Sequence, residues 1–219
     1  MTALPYSQGP TDNDVFDYIA TELDKKGYCI TSNLVSNELT ESLFHRVQSF
    51  KEVDFKRAGV GRMSNHHLND FIRTDQIHWL SQGEPVENRY LSWMDRLRIG
   101  LNRRLYLGLF DYECHFAHYA PGNYYKRHLD SFQGNSNRVV TTVFYLNPNW
   151  QVADEGALLI YNNDNQQLIE TVLPRYGTLV VFLSDQFPHE VNKANRDRYS
   201  IAGWFRVNNS IASRIDPPN

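Results

Sequence analysis

The stretch AHYAPGNYYKRHLD, residues 117–130, places a turn and a His-x-Asp pair inside a run of β-forming residues. Pro121 and Gly122 are typical of a tight turn, and the tyrosines on either side favour strands. On a strand, residues two apart leave the same face, so His128 and Asp130 could reach one ion. The stretch therefore predicts a hairpin that delivers two metal ligands.

The chain beyond residue 111 predicts a β sandwich or jelly roll. Short β-rich runs alternate there with turn residues such as the Asn-Pro-Asn at 147–149, and many short strands at this spacing are typical of such folds. The predicted strands cover 112–119, 124–129, 138–146, 156–161, 167–172, 177–183 and 197–207.

Residues 1–110 predict helices that support the β core. The predicted helices run from Thr11 or Asp12 to Gly27, from Ser36 onward, and from about 84 to 107. Their apolar stripes need a sheet to cover them. We therefore expect a mainly β fold with N-terminal helices, an α+β arrangement in which the helices pack on one sheet.

We expect one domain over residues 1–219, with a β core at 111–207 and a tail at 208–219. The segment 51–75 could be a hairpin or a long flexible loop, and long loops beside a binding site are often lids. It contains paired histidines and is locally basic. We interpret the segment as a loop that meets the substrate: its length and local charge fit an extended protein substrate, and a lid over a small molecule would look similar.

Composition excludes several classes of function. The formal net charge of −3 gives no reason to expect a nucleic-acid partner. Two cysteines, Cys29 and Cys114, are too few for a disulfide scaffold, so we expect a reducing, cytoplasmic setting. No apolar run is typical of a signal peptide or a membrane-spanning helix, and we expect no membrane partner.

A metal site needs a third ligand beside His128 and Asp130, and His189 is the candidate. The short run Glu190-Val191 after it could form a strand that lies next to the strand carrying His128. Two histidines and one carboxylate leave coordination positions open, as in non-haem Fe(II) oxygenases. Zinc is disfavoured because the chain has no cysteine cluster. Arg198 stands in a β-patterned run after His189 and could bind a carboxylate of a small acid, and Tyr145 could add a hydroxyl.

An ordered series of motifs runs through the second half of the chain. It consists of Tyr119-x-Pro121-Gly122, Tyr125-x-x-His128-x-Asp130, Arg138 with Tyr145-Leu146-Asn147, Gly156-x-Leu158, Pro174-x-x-Gly177, Phe182-x-Ser184, His189-Glu190-Val191, Arg198 and Trp204. The series resembles the 2-oxoglutarate- and Fe(II)-dependent prolyl 4-hydroxylases, and most of all their oxygen-sensing, HIF-type branch and its bacterial relatives. The resemblance covers about residues 70–207 and implies a double-stranded β-helix, a jelly-roll (cupin-like) fold.

The resemblance also implies roles for the matched residues. His128, Asp130 and His189 would bind Fe(II), with 2-oxoglutarate and O2 as cosubstrates and ascorbate as a candidate reductant. Arg198 and Tyr145 would hold the distal carboxylate of 2-oxoglutarate, and Tyr119 would line its pocket. Contacts with the substrate are implied for Arg73, Asp75, Arg138, Trp204 and Tyr125. Glu155 before Gly156 and Ala202 depart from the family pattern.

The implied reaction is hydroxylation of a prolyl residue in a protein at the trans-4 position, with release of succinate and CO2. Among bacterial relatives the implied protein is elongation factor Tu, and in the animal branch it is a transcription factor. Two alternatives stay open. One is a 2-oxoglutarate oxygenase acting on another amino acid or small molecule. The other is a non-catalytic β-sandwich sensor or binding module, against which the intact metal triad with Arg198 argues.

Overall fold

A computed structural model of the chain describes residues 11–57, 71–131, 137–164 and 166–208. Within these ranges the chain forms three α-helices and eleven strands. The helices are α1 (Asp12–Lys26), α2 (Asn37–Gln48) and α3 (Pro85–Leu105). The strands are β1 (Tyr28–Ser32), β2 (Lys56–Arg57), β3 (Gln76–Trp79), β4 (Leu109–Tyr119), β5 (Tyr125–His128), β6 (Arg138–Tyr145), β7 (Leu158–Tyr161), β8 (Leu168–Val172), β9 (Thr178–Leu183), β10 (His189–Val191) and β11 (Arg198–Val207).

The helices begin and end where their capping residues stand. The Thr11 hydroxyl accepts from the Asp14 N–H, while the Asp14 carboxylate accepts from the Thr11 N–H at 3.0 Å. Gly27 ends α1 with a left-handed φ of 79°. Pro85 opens α3 at a position where its missing N–H costs nothing. No helix in the described ranges is long and apolar enough to cross a membrane.

The strands form two antiparallel sheets, which confirms the predicted jelly-roll arrangement. The larger sheet has seven strands in the order β1-β9-β6-β11-β4-β3-β2, and the smaller has four in the order β5-β10-β7-β8. Every predicted strand between 112 and 207 is present, with ends that differ by up to three residues.

Two cores lie on the two faces of the larger sheet, because side chains alternate along each strand. On one face, buried apolar residues such as Phe116, Phe144 and Phe205 pack with the three helices. On the other face, Tyr119, Tyr145 and their neighbours pack against the smaller sheet. The helices therefore cover one sheet only, as expected, and the space between the sheets is left for a site.

Where the segment 51–75 is described, Glu52–Asp54 form a 3-10 helix and Lys56–Arg57 form strand β2 at the edge of the larger sheet, next to β3, which directly follows the segment. Strand β2 pairs with β3, and β3 pairs with β4, so both extend the sheet beyond β4. Neither strand was predicted, because each has four residues or fewer and no clear alternation. Residues 58–70, on which the interpretation as a substrate loop chiefly rests, lie outside the described residues.

Candidate metal and cosubstrate site

Three potential metal ligands meet where β5 and β10 run side by side. The antiparallel register pairs His128 directly with His189, and their ring centroids lie 4.3 Å apart. Asp130 Oδ1 is 3.5 Å from His128 Nε2, and Asp130 Oδ2 is 3.6 Å from His189 Nε2. One ligand atom from each residue falls within 4.8 Å of the other two. The three side chains could therefore hold a single divalent ion.

The position of Asp130 corrects the geometry that the sequence suggested. Strand β5 ends at His128, and Asp130 lies in the bend that follows, so pleat alternation does not place its carboxylate. A hydroxyl on the larger sheet does so instead, since Thr141 Oγ1 on β6 donates to Asp130 Oδ2 at 2.8 Å. His128 and Asp130 do come together, but through a bend and a hydroxyl bond and not through one face of a shared strand.

Backbone carbonyls orient both imidazoles toward the shared centre. Nδ1 of His128 lies 2.9 Å from the carbonyl oxygen of Lys126, and Nδ1 of His189 lies 2.9 Å from that of Phe187. A carbonyl oxygen only accepts, so each Nδ1 carries the proton and each Nε2 offers a lone pair. This is the tautomer that a metal ligand needs.

Charges within the triad favour the protonation states that bind metal. Burial lowers the pKa of His189 to about 4, so this ligand is neutral near pH 7. Burial acts to raise the pKa of Asp130, but His189, His128 and Arg138 outweigh it and hold that pKa below its usual range. A neutral imidazole and an ionised carboxylate are the forms that coordinate a cation.

Arg198 begins β11 and lies buried between the sheets, where its side chain is almost fully enclosed. Its Nε donates to the Gly156 carbonyl at 3.0 Å, and its Nη2 lies 3.5 Å from the Tyr145 hydroxyl. The guanidinium also stands over the Tyr119 ring, 4.9 Å from its centroid. Within the described ranges no carboxylate lies at ion-pair distance from it. A buried cation without a counter-ion is costly, and an acidic ligand would complete the pair.

The two tyrosines beside Arg198 can donate to such a ligand. Burial raises the pKa of Tyr145, although the positive charge of Arg198 opposes the shift. Burial likewise raises the pKa of Tyr119 well above its usual range. Both hydroxyls therefore keep their protons at neutral pH and can donate to a carboxylate.

Gly156 is a functional position whose requirement the sequence did not reveal. It adopts a left-handed φ of 67°, and a Cβ there would lie 2.8 Å from the Cβ of Ala194 and 3.3 Å from the Cδ of Arg198. Only glycine allows its carbonyl to approach the guanidinium so closely. In the sequence, Gly156 stands out only as a motif residue next to a departure from the family pattern at Glu155.

Arg73 and Asp75 form a buried ion pair against the wall of the metal site. The guanidinium grips both carboxylate oxygens, at 2.7 and 2.6 Å, and stands 4.4 Å over the ring centroid of Tyr125. Tyr125 in turn stacks on the His128 ring at 3.6 Å. The structure thus brings three of the predicted substrate residues together, one layer outside the metal ligands.

Arg138 and Trp204 form a second wall on the larger sheet. The guanidinium of Arg138 lies 3.5 Å from the centroid of the Trp204 ring, and its Nε donates to Glu113 at 2.9 Å. Trp204 pairs in register with Thr141, whose hydroxyl reaches the metal ligands. The buried Trp204 Nε1 has no hydrogen-bond partner among the described residues. An indole donor is therefore left available at this wall.

His115 belongs to the same wall and was not predicted. Its buried ring packs between Trp79 and Trp204, with centroid distances of 5.1 and 5.5 Å. Burial, with the positive charge of Arg73 adding to it, lowers the pKa of His115 to about 4. Its sequence position carried a usable signal, because residues 115 and 119 on one strand share a face.

Similarity to known proteins identifies the family. Residues 114–206 match the family model described as 2OG-Fe(II) oxygenase superfamily. The human protein "Prolyl hydroxylase EGLN3" is 30% identical to this chain over 205 residues, which cover 86% of this chain and 82% of that protein. The chain belongs to the prolyl hydroxylases of this superfamily. Fe(II), 2-oxoglutarate and O2 are thus its cofactor and cosubstrates, as the resemblance implied.

Solved structures of other prolyl hydroxylases share the fold. A Pseudomonas putida prolyl-4-hydroxylase superimposes with a TM-score of 0.79 at 37% identity, covering 88% of this chain and 98% of that one. A Trichoplax adhaerens prolyl hydroxylase, solved in complex with a peptide fragment of the hypoxia inducible factor oxygen degradation domain, gives a TM-score of 0.79 at 29% identity. The superposition covers 89% of this chain and 90% of the Trichoplax adhaerens protein. The double-stranded β-helix and the HIF-type resemblance are both confirmed.

Proposed function

We propose that this prolyl hydroxylase adds one oxygen to a prolyl residue of a protein, at the trans-4 position, and releases succinate and CO2. One observation carries the proposal. The two sheets bring together His128, Asp130 and His189. Between the same two sheets lies the buried Arg198, which has no carboxylate partner among the described residues. A dicarboxylic 2-oxo acid can satisfy both features, because one end reaches a metal while the other pairs with the guanidinium.

The donor set fits Fe(II), with His128, Asp130 and His189 as the residues that would hold it. When bound, Fe(II) with 2-oxoglutarate and O2 supplies the oxidising power for C–H hydroxylation. Arg198 and Tyr145 would orient the cosubstrate through its distal carboxylate. The enclosed barrel would exclude water from the reacting groups.

The walls described above suit a peptide that carries a proline ring. Tyr125 and Trp204 offer flat aromatic surfaces, and the guanidinium groups of Arg73 and Arg138 stack on them. Asp75 and Glu113 hold these two guanidinium groups in place as ion-pair partners. We propose that the two aromatic residues and the two arginines, with Asp75, contact the substrate. The Trichoplax adhaerens relative was solved with a peptide, which supports a protein substrate here as well.

Elongation factor Tu is the candidate substrate, on the strength of the resemblance to bacterial relatives and the 37% identity to a bacterial prolyl-4-hydroxylase. The proposal includes a cytoplasmic location, which such a substrate requires. Both cysteines of the chain are buried and unpaired, and this state is compatible with a reducing compartment.

Mass spectrometry of elongation factor Tu tests the proposal. The protein is incubated with enzyme, Fe(II), 2-oxoglutarate and ascorbate, beside a His128→Ala control. We expect one added oxygen on a single proline, absent in the control, and trans-4-hydroxyproline after hydrolysis of the peptide. Conversion of 2-oxoglutarate without oxygen on this protein would reject the substrate and keep the oxygenase. Binding of 2-oxoglutarate without any succinate would favour the sensor alternative.

A further inference from the structure

We propose that Thr141 is a positioning residue which, with Ser184, fixes the Asp130 carboxylate so that a single oxygen is left for the metal. The inference rests on the proposed metal site, but not on the identity of the substrate. Thr141 lies on β6 and Ser184 follows β9, and both side chains are buried. Neither residue was predicted as part of the site.

The direction of the hydrogen bonds follows from simple proton counting. Thr141 Oγ1 lies 2.8 Å from Asp130 Oδ2 and 2.9 Å from Ser184 Oγ. An ionised carboxylate only accepts, so the single hydroxyl proton of Thr141 is used on Asp130. Ser184 must then donate to Thr141. The result is a relay from Ser184 through Thr141 to Asp130, in which each bond polarises the next.

The relay supplies a support that Asp130 otherwise lacks. Both histidines are oriented by carbonyls of their own chain segments, whereas Asp130 lies beyond the end of β5. Strand β6 lies inside the larger sheet between β9 and β11, and the Ser184 N–H donates to the Val139 carbonyl at 3.0 Å. The hydroxyl groups of Thr141 and Ser184 therefore belong to a part of the sheet that is hydrogen-bonded on both sides.

The chemical consequence concerns how many coordination positions stay open. Carboxylates can bind a metal through one oxygen or through both. Both oxygens of Asp130 lie near the ligand nitrogens, Oδ1 at 3.5 Å from His128 Nε2 and Oδ2 at 3.6 Å from His189 Nε2. The bond from Thr141 occupies one lone pair of Oδ2 and weakens that oxygen as a ligand, so Oδ1 becomes the preferred donor to the metal. Without the hydroxyl, the carboxylate could turn and offer both oxygens, closing a position that 2-oxoglutarate or O2 needs. Thr141 would thus keep the site open as well as orient it.

Co(II) titration tests this role in the whole chain without any substrate or cosubstrate, with the visible d–d absorption as the readout. Thr141→Val keeps the shape and removes the hydroxyl, and Thr141→Ser restores it. We expect Co(II) affinity to fall about 10- to 100-fold in Thr141→Val, with an altered absorption spectrum. Thr141→Ser should stay within about threefold of wild type.

Thr142 provides a matched control on the same strand. It is also buried, but it faces the helices and lies 2.8 Å from the Tyr112 hydroxyl. Thr142→Val should leave both Co(II) affinity and spectrum unchanged. An unchanged affinity and spectrum in folded Thr141→Val would overturn the proposal.

Ser184→Ala decides the matter if Thr141→Val does not fold. We expect about a fivefold loss of Co(II) affinity, as for one ordinary hydrogen bond, and wild-type affinity would overturn the relay. Because Co(II) binds without a protein substrate, failure to hydroxylate elongation factor Tu would not bear on this result. Failure of the proposed metal site itself would instead appear as absent Co(II) binding in the wild type.

Discussion

Replacing Arg198 by methionine should separate the stability of the fold from the binding of 2-oxoglutarate. The variant keeps an unbranched side chain of similar length and removes the buried charge. We expect the protein without cosubstrate to become slightly more stable, while stabilisation by 2-oxoglutarate is lost. The stability without cosubstrate should rise while the stabilisation by 2-oxoglutarate falls, because the guanidinium is costly to bury until an acidic ligand pairs with it.

The magnitude follows from the contacts of Arg198. Burying one ion costs several kcal/mol even after relaxation. Against this, the bond to the Gly156 carbonyl at 3.0 Å contributes about 2 kcal/mol, and the contact with the Tyr145 hydroxyl at 3.5 Å contributes little. The burial cost exceeds the gain from these hydrogen bonds, so we expect Arg198→Met to raise the free energy of unfolding by about 1 kcal/mol. In a chain of this size, that raises Tm by about 2–4 °C.

The substitution should affect the binding of 2-oxoglutarate far more than the stability of the protein without cosubstrate. At a 2-oxoglutarate concentration of about 100 Kd, the wild type gains about 2.7 kcal/mol, or about 5–11 °C in Tm. Breaking a buried ion pair costs about 3–5 kcal/mol, which weakens binding by at least about 100-fold. At the same concentration the variant should then gain no more than about 0.4 kcal/mol.

Thermal melts with Mn(II), with and without 2-oxoglutarate and in the absence of O2, measure both effects. Arg196→Met serves as the control, because Arg196 is an exposed arginine whose contact with Asp154 is 3.4 Å long. It should change stability by less than about 0.5 kcal/mol and keep the full shift with 2-oxoglutarate. A loss of more than about 2 kcal/mol of stability in Arg198→Met would show that the buried guanidinium is not costly to the protein without cosubstrate. Stabilisation of Arg198→Met by 2-oxoglutarate equal to that of the wild type would show that Arg198 does not bind the cosubstrate.

Three further predictions concern Gly156, Tyr145 and Cys29. Gly156→Ala should lose about 1–3 kcal/mol in denaturant unfolding, because a left-handed φ of 67° is combined with a Cβ contact of 2.8 Å; wild-type stability would contradict the close approach. Tyr145→Phe should raise the KM for 2-oxoglutarate about tenfold, since one hydrogen bond to a charged group is lost, with kcat within about threefold; an unchanged KM in steady-state assays would exclude the hydroxyl from binding. Burial raises the pKa of Cys29 from 9.0 to about 12, so its contribution to stability is complete below pH 9 and decreases toward pH 12. Cys29→Ala should therefore lose less stability than the wild type between pH 8 and pH 11 in denaturant titrations, and equal losses would show that this thiol is not responsible.

Much of the fold could be predicted because its signals are local. Thr11 and Gly27 mark the ends of α1 through their own hydrogen bonds and dihedral angles. The strands of the β core are rich in β-forming residues and are separated by turn residues, so their positions along the chain could be predicted. The pairing of His128 with His189 was anticipated only as a strand returning beside the first, and the register confirms it.

The parts that could not be predicted depend on contacts between distant segments. Asp130 is held by Thr141 across the barrel, and no spacing in the sequence links a carboxylate in a bend to a hydroxyl on another strand. Gly156 is needed because Ala194 and Arg198 crowd it from later in the chain. Strand β3 exists because β4 offers it an edge, since its own four residues carry too weak a pattern.

The most direct test of the central claim is to measure succinate formed from 2-oxoglutarate by the purified protein with Fe(II) in the presence of O2. We expect one succinate for each 2-oxoglutarate consumed, and we expect its formation to depend on Fe(II). Succinate should be abolished in His128→Ala, strongly reduced in Arg198→Met and close to wild type in Arg196→Met. If the wild type binds Fe(II) and 2-oxoglutarate but forms no succinate with any prolyl protein or peptide, the chain is not an oxygenase and the account is wrong.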